Sequence, residues 1–249
     1  MPRRGVVMRM NPSNFPTELL QGGARSLGMD LTPRQTERFV SYAALLCEWN
    51  ERMNLTAITD PEGIAVRHFI DSLTLLGSLT PPPDAKLLDV GAGAGFPSIP
   101  VCILRPDLRP TLLDSLNKRL IFLEALTKEL DIPVELLHQR AEDAARLPGY
   151  REQYDVVCAR AVARLSALCE YCLPFVRIGG QFAALKGPDA EQELKEANRA
   201  ISLLGGEATQ VRPFTLPDGS ERRVIVIKKI RPTPTGYPRK GTKIAKNPL

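Results

Sequence analysis

After residue 85 the chain alternates regularly between short apolar runs and helical stretches, and this alternation restricts its fold more than any other feature. Alternating β and α segments build a mostly parallel sheet with helices on both faces, so the sequence predicts an α/β fold. The strands are expected at Lys86–Val90, Pro110–Asp114, Val134–His138, Tyr154–Ala159, Gly180–Leu185, Ala208–Pro213 and Arg222–Ile230.

The link between the last two strands has no helical pattern. It contains Leu216-Pro217-Asp218-Gly219, a turn sequence, so these strands are expected to pair antiparallel. About seven strands ending in a hairpin are typical of the Rossmann-like S-adenosylmethionine-dependent methyltransferase fold. The purely parallel dinucleotide-binding version fits this order less well.

The first 80 residues have a different, helical pattern. Apolar side chains at helical spacing predict a helix over Pro33–Met53, capped by Thr32, and a second helix runs from Pro61 to about Leu76. The break at Pro81–Asp84 divides the chain. We expect a helical extension at 1–80 packed on the core, a methyltransferase domain at 81–230, and a basic tail at 231–249.

The composition is that of an ordinary globular protein, with 43% hydrophobic and 24% charged residues. No apolar run approaches the roughly 20 residues of a membrane span. The start, Met1–Arg9, lacks the apolar core of a secretory signal. We therefore expect a cytoplasmic protein that has no membrane partner and that functions as a monomer.

The cysteine pattern favours packed thiols over a metal site. Five cysteines, an odd count, argue against a disulfide framework. Cys169 and Cys172 form a C-x-x-C, but the chain has only two histidines, and neither is close in sequence. No metal is expected.

Positive charge is concentrated at the C-terminus. The last 22 residues contain seven Lys or Arg residues and no Asp or Glu, while the whole chain carries a net charge of +5. Such a tail is expected to contact nucleic acid phosphates. A solubilising tail without a partner explains the charge equally well.

The segment Asp89–Pro97 covers the end of the first strand and the glycine loop that follows it, and this loop opens a helix. Glycines there allow positive φ and close approach of a ligand to the backbone. The loop reads G-x-G-x-G, whereas the dinucleotide fingerprint needs glycine where Phe96 stands. Asp114 ends the second strand and can accept ribose hydroxyls. An acidic residue there does not by itself separate the two cofactors, but the loop spacing, Asp89 and the terminal hairpin favour S-adenosylmethionine over NAD. The alternative is a tight turn without ligand.

Other polar residues follow later strands at the same edge. Gln139–Asp143 is expected near the adenine, although acidic residues at a helix start would explain Glu142 as well. Arg160 and Lys186 end the fourth and fifth strands. Either could hold a phosphate, a base edge or the methionine carboxylate, or could be a solvated loop charge.

These elements resemble one known family, the bacterial 16S ribosomal RNA guanine-N7 methyltransferases (methyltransferase G of the small subunit, also called glucose-inhibited division protein B). The resemblance runs from about Leu31 to the C-terminus. Ser98 departs from it, since the family usually has glycine there, and the first 16 residues match nothing. The matching segments are Trp49-Asn50, Asn54–Thr56, Arg67–Ser72, Asp89–Pro97, Leu113–Ser115, Lys118-Arg119, Arg160-Ala161, Leu185–Gly187 and Tyr237–Lys240.

The resemblance implies S-adenosylmethionine-dependent methylation of N7 of a guanine in 16S rRNA, and it implies a set of site residues. Arg160 and Lys186 would be catalytic, Lys186 would also help to position RNA, and 16S rRNA or the small ribosomal subunit would be the partner. The implied cofactor residues are Gly91, Gly93, Gly95, Phe96, Asp114, Ser115, Leu116, Ala141, Glu142 and Arg160. The implied RNA contacts are Asn54, Arg67, Arg239, Lys240 and Lys243. His68 either lines the site or orients Asp71.

Guanine N7 has a free lone pair at neutral pH, so methyl transfer to it needs no general base. The enzyme's task is then to place methyl and N7 in line. Two other classes remain as alternatives. A small-molecule methyltransferase would work without RNA, and a non-enzymatic RNA-binding protein would not bind S-adenosylmethionine.

Overall fold

The computed structural model describes residues 14–160 and 163–249. Most of the first 16 residues, whose role the sequence leaves open, and Ala161 lie outside this description. The α-helices are α1 Thr17–Ser26, α2 Pro33–Met53, α3 Pro61–Gly63, α4 Asp71–Ser78, α5 Ser98–Leu104, α6 Asn117–Glu129, α7 Ala141–Ala144, α8 Leu165–Cys172, α9 Ala190–Leu203 and α10 Gly241–Lys246. The strands are β1 Lys86–Val90, β2 Arg109–Asp114, β3 Glu135–His138, β4 Tyr154–Arg160, β5 Val176–Lys186, β6 Gly206–Thr215 and β7 Glu221–Lys229.

The strands form one seven-stranded sheet in the order β3-β2-β1-β4-β5-β7-β6. The first five are parallel, and β7 lies antiparallel between β5 and β6. The predicted fold class and the terminal hairpin are confirmed. The strand order reverses between β1 and β4, and in open α/β sheets this reversal opens a crevice at the carboxyl ends of the strands.

The long N-terminal helix α2 begins where the sequence predicts. The Thr32 hydroxyl accepts from the Gln35 amide, and the Gln35 side chain accepts from the Thr32 amide, which completes a capping box. One face of α2 is fully buried through Phe39, Tyr42 and Leu46. This face packs the helical segment onto the sheet side that also holds α5 and α6.

The predicted helix from Pro61 to Leu76 is not continuous. A π-helical segment, Ile64–Ile70, separates α3 from α4. Its wider turn is compatible with the burial of every side chain in the segment except that of Arg67. The sequence missed this because the 3.6-residue spacing of the apolar positions continues through it.

The C-terminal segment is folded rather than free. The Lys229 ammonium is fully buried, where it donates to the Leu173 carbonyl and the Thr233 hydroxyl. Arg239 pairs with the buried Glu170. Two of the seven cations from which the sequence predicts a nucleic-acid tail therefore hold the segment against the body. The number of charges along a segment does not show which acidic residues from distant parts of the chain pair with them, here Glu152 with Lys229 and Glu170 with Arg239.

Cys169 and Cys172 are fully buried within α8, as the packing interpretation predicts. No helix within residues 14–160 and 163–249 is long and apolar enough to cross a bilayer.

Candidate functional site

A cavity of about 960 Å³ opens at the carboxyl ends of β1, β2 and β4. Its walls come from the glycine loop, the ends of β2 and β4, the β3–α7 loop, α8, the α2–α3 link, the π-helical segment and α10. The lining includes Leu55, Thr56, His68, Gly91, Gly93, Phe96, Asp114, Ser115, Arg119, Ala141, Glu142, Arg160, Arg164, Tyr171, Gly241, Thr242, Ala245 and Pro248.

The glycine loop is fixed against the end of β2 by its own backbone. The amides of Gly91 and Ala92 both donate to the Leu113 carbonyl, at 2.8 and 3.0 Å. Gly91 and Gly93 adopt φ of +75° and +60°, a region that favours glycine. A Cβ on Gly93 would meet no atom closer than 3.8 Å, so this part of the loop faces open space.

Gly95 has a different surrounding. Its φ is +95°, and a Cβ there would lie 2.7 Å from the Tyr42 hydroxyl and 2.9 Å from Ile99. Tyr42, on α2, donates its hydroxyl proton to the Ala94 carbonyl. The structure therefore places Gly95, a predicted cofactor residue, in the packing between α2 and the loop rather than among the cavity-lining residues.

Asp114 closes the loop from the second strand. Its Oδ2 accepts from the Gly93 amide at 2.9 Å and from Arg119 Nη1 at 3.2 Å, and its Oδ1 accepts from the Leu116 amide at 2.9 Å. A carboxylate offers about four acceptor sites, so about one remains, on Oδ1. Leu116 contributes its amide to this arrangement, while its side chain is 44% exposed and lies outside the cavity lining.

Beneath the loop lies the buried carboxyl group of Asp89. Its Oδ2 accepts from the Ser98 hydroxyl at 2.6 Å and from the Ser98 amide, while Oδ1 has no hydrogen-bond partner among the described residues. Burial raises the pKa of Asp89 to about 7, against the lowering effect of the Ser98 hydrogen bonds. Ser98, the departure from the family pattern, thus provides a direct hydrogen bond to this carboxyl group.

Arg160 is held from several sides at the end of β4. Its Nη1 donates to the Arg67 carbonyl and to Asp71 Oδ2, both at 3.0 Å. Its guanidinium lies over the Phe96 ring, 4.8 Å from the centroid. Asp71 Oδ1 also lies 3.2 Å from Arg222 Nε on β7, at an angle that makes the contact an ion pair without a hydrogen bond. We call Arg160, Asp71 and Arg222 the arginine cluster.

His68 joins the arginine cluster to the loop. Its ring stacks on Phe96 with centroids 4.5 Å apart, and its Nε2 lies 2.7 Å from the Thr56 hydroxyl. Burial, together with the charge of Arg160, lowers the pKa of His68 to about 4, so the imidazole is neutral near pH 7. Arg160 Nη2 lies 3.4 Å from Nδ1 and can only donate, which assigns the ring proton to Nε2. His68 lines the cavity, and the contacts that orient Asp71 come from the arginines.

The other predicted residues lie at varied distances from this centre. Lys186 is not in the cavity lining, and its ammonium donates to the Ala163 carbonyl at 2.7 Å and to Glu193 at 2.8 Å. The Arg67 side chain reaches outward and binds Asp218 at 2.7 Å. Asn54 caps the end of α2 with φ of 50°. Lys240 and Lys243 are exposed.

Several lining residues were not expected from the sequence. Leu55 and Thr56 belong to the matching family segment Asn54–Thr56, in which the resemblance implies a role for Asn54 alone. Tyr171 and the α10 residues carry no local motif for a ligand, and only the three-dimensional packing brings them to the cavity.

Comparisons with known proteins agree on one family. Residues 35–225 match the family model described as GidB, rRNA small subunit methyltransferase G. The protein of Desulforamulus reducens named ribosomal RNA small subunit methyltransferase G is 48% identical over 94% of this chain and 98% of its own length. The protein of the same name from Geobacillus kaustophilus is 51% identical over 89% of this chain and 94% of its own.

Solved structures support the fold alone, since their sequences are distant. The fibrillarin pre-rRNA processing protein of Methanococcus jannaschii superposes with a TM-score of 0.50 at 15% identity, covering 61% of this chain and 70% of that one. The P. horikoshii protein TYW2, solved in complex with MeSAdo, superposes with a TM-score of 0.51 at 13% identity, covering 64% and 61%.

Proposed function

The chain belongs to the family of rRNA small subunit methyltransferase G, and from this premise we propose that it transfers the methyl group of S-adenosylmethionine to N7 of a guanine in 16S rRNA. One observation carries the proposal. The glycine loop, Asp114 and Arg160, which the family resemblance assigns to the cofactor, border a single cavity large enough for a nucleoside and a second ligand.

The cavity fits S-adenosylmethionine in its polar groups. Asp114 keeps about one acceptor site for a ribose hydroxyl, and the open side of Gly93 admits a ligand against the backbone. Ala141 and Glu142 line the part beyond β3. The bound cofactor would supply an electrophilic methyl group on a sulfonium.

The side chains around Arg160 suit a reaction that needs no general base. Guanine N7 is nucleophilic as it stands, so no side chain has to accept a proton, and His68, whose pKa is about 4, is a weak base near pH 7. Arg160 presents a fixed positive charge with N–H donors at the cavity wall, fitted to a carboxylate, a phosphate or the O6 edge of guanine. The protein would then act by orientation.

We infer that Lys186 acts through the backbone. Its bond to the Ala163 carbonyl holds the segment that leads to Arg164 in the cavity wall. The exposed lysines of α10 and the Arg67 guanidinium are proposed RNA contacts, which would position the RNA without identifying the base. Arg239 is assigned to RNA by the resemblance, and its bond to Glu170 makes support of the C-terminal segment its first role.

The test is methyl transfer from labelled S-adenosylmethionine to small-subunit rRNA, given as naked RNA and as 30S particles from cells that lack this gene. Large-subunit rRNA serves as the control substrate. Labelled 7-methylguanine in digested small-subunit RNA alone is the expected result. Binding of the cofactor without label in either substrate would reject the RNA target and favour a small-molecule methyltransferase.

A further inference from the structure

The last helix of the chain, α10, lies against the cavity that is proposed to hold the cofactor. Gly241, Thr242 and Ala245 of this helix line the cavity, as does Pro248 after it, while Ile244 is fully buried beneath. The charge of this segment is explained equally well by RNA contact and by a solubilising tail, and the family resemblance favours RNA. The charge of the segment does not explain why uncharged residues of α10 line the cavity.

The segment before α10 is fastened to the body at several points. Arg239 donates from Nε to Glu170 Oε1 at 2.9 Å and from Nη2 to Oε2 at 2.6 Å, and its backbone amide donates to the same carboxylate at 2.7 Å. Glu170 is fully buried in α8, so this pair is shielded from solvent. Arg151 Nη1 also donates to the Tyr237 carbonyl at 3.0 Å. These bonds fix where α10 begins.

At its first residue, α10 closes against α7. A Cβ placed on Gly241 would overlap the carboxylate of Glu142, which itself lines the cavity. A side chain at this position would have to displace the Glu142 carboxylate, so glycine lets that carboxylate stay in the cavity wall. The contact joins the β3–α7 wall of the cavity to the C-terminal segment.

We propose that α10 is a wall of the cofactor pocket, held there by Arg239 and Glu170 and closed by the contact between Gly241 and Glu142. This inference rests on the proposed function, because it assumes that the cavity binds S-adenosylmethionine. The lysines of α10 are exposed to solvent and are absent from the cavity lining, so cofactor and RNA would contact different residues of one short helix.

Two glycines of the same segment give a matched test. Gly241→Ala pushes the Glu142 carboxylate out of its place in the cavity wall, whereas the added methyl group of Gly236→Ala meets no atom within 4 Å. Binding of S-adenosylhomocysteine to the full-length variants would be measured by titration calorimetry. We expect Gly241→Ala to raise the Kd by about tenfold, equivalent to ~1.4 kcal/mol, and Gly236→Ala to leave it unchanged.

Hydrogen exchange of the wild-type chain, with and without S-adenosylhomocysteine, is the deciding measurement. If α10 is a wall of the cofactor pocket, the amides of residues 241–246 should exchange more slowly when the ligand is bound. Unchanged exchange there, while the wild type binds the ligand, overturns the proposal whatever the variants do. A wild type that fails to bind the ligand would instead reject the proposed cofactor and hence the proposed function.

Discussion

The two sides of the cavity are built in opposite ways. The loop side consists of one short stretch, Asp89–Ser98, joined to the end of β2, and it is held largely by backbone amides and positive-φ glycines. The arginine cluster assembles charged side chains from the N-terminal helices, β4 and β7. A change in the loop should therefore act through local conformation, while a change in the cluster leaves a buried charge without its partner.

The largest effect is expected for Arg160→Ala. It removes the donor that faces the cavity and leaves Asp71, whose side chain is 8% exposed, with Arg222 as its remaining cation. We expect kcat/KM to fall at least about 100-fold and the free energy of unfolding to fall by about 3 kcal/mol. Methyl-transfer kinetics and urea unfolding would measure both.

Arg177→Ala is the control for this variant, since Arg177 pairs with Asp155 at the surface away from the cavity. Near wild-type turnover in Arg160→Ala would show that the arginine cluster is not part of the functional site. The site would then consist of the loop side alone.

A pair of glycine variants tests the loop side. Gly95→Ala combines a φ of +95° with overlap against Tyr42 and Ile99, and we expect a loss of about 3 kcal/mol. Gly93→Ala has the positive φ without the overlap, and we expect a loss of about 1 kcal/mol. Urea unfolding distinguishes them. Equal losses would show that the packing of α2 against the loop contributes nothing.

A smaller, pH-dependent effect is expected for Ser98→Ala. The pKa of Asp89 is raised from 3.8 to about 7, so ionisation of this carboxyl group opposes folding as the pH rises through that range. The Ser98 hydroxyl stabilises the ionised form. Its removal should therefore cost about 2 kcal/mol at pH 8 and about half of that at pH 5. Unfolding at the two pH values checks the sign, and a larger cost at pH 5 would contradict it.

The smallest effect is expected for Asp218→Asn at the tip of the β6–β7 hairpin. Arg67 is half exposed in its pair with Asp218, and such pairs contribute little to stability because solvent screens the charges. Asparagine keeps an acceptor for the Ser220 amide, so the turn should persist. Denaturant unfolding should detect almost no change. A loss above about 1 kcal/mol would contradict this and would show that the arginine cluster and this hairpin are energetically coupled.

The same contrast decides what the sequence could predict. The strand periodicity, the glycine loop, Asp114 and the terminal hairpin are local patterns, and the structure has each of them where the spacing indicates. The hydrogen-bond partners of Arg160, the bond between Arg239 and Glu170 and the place of α10 depend on contacts between residues 69 or more positions apart. Periodicity carries no information about such pairs. The charge of the tail was therefore visible in the sequence, whereas the contact of α10 with the cavity was not.

The position of β7 has a consequence for how the chain is made. Among the strands of residues 14–160 and 163–249, its only sheet neighbours are β5 and β6, and β6 pairs with no strand except β7. During synthesis β6 is therefore complete before it has anything to pair with, and it joins the sheet only as half of a hairpin. Arg222 belongs to that hairpin, so its contact with Asp71 requires the hairpin to have joined the sheet. A nascent chain can thus form its glycine loop well before the charged half of the cavity exists.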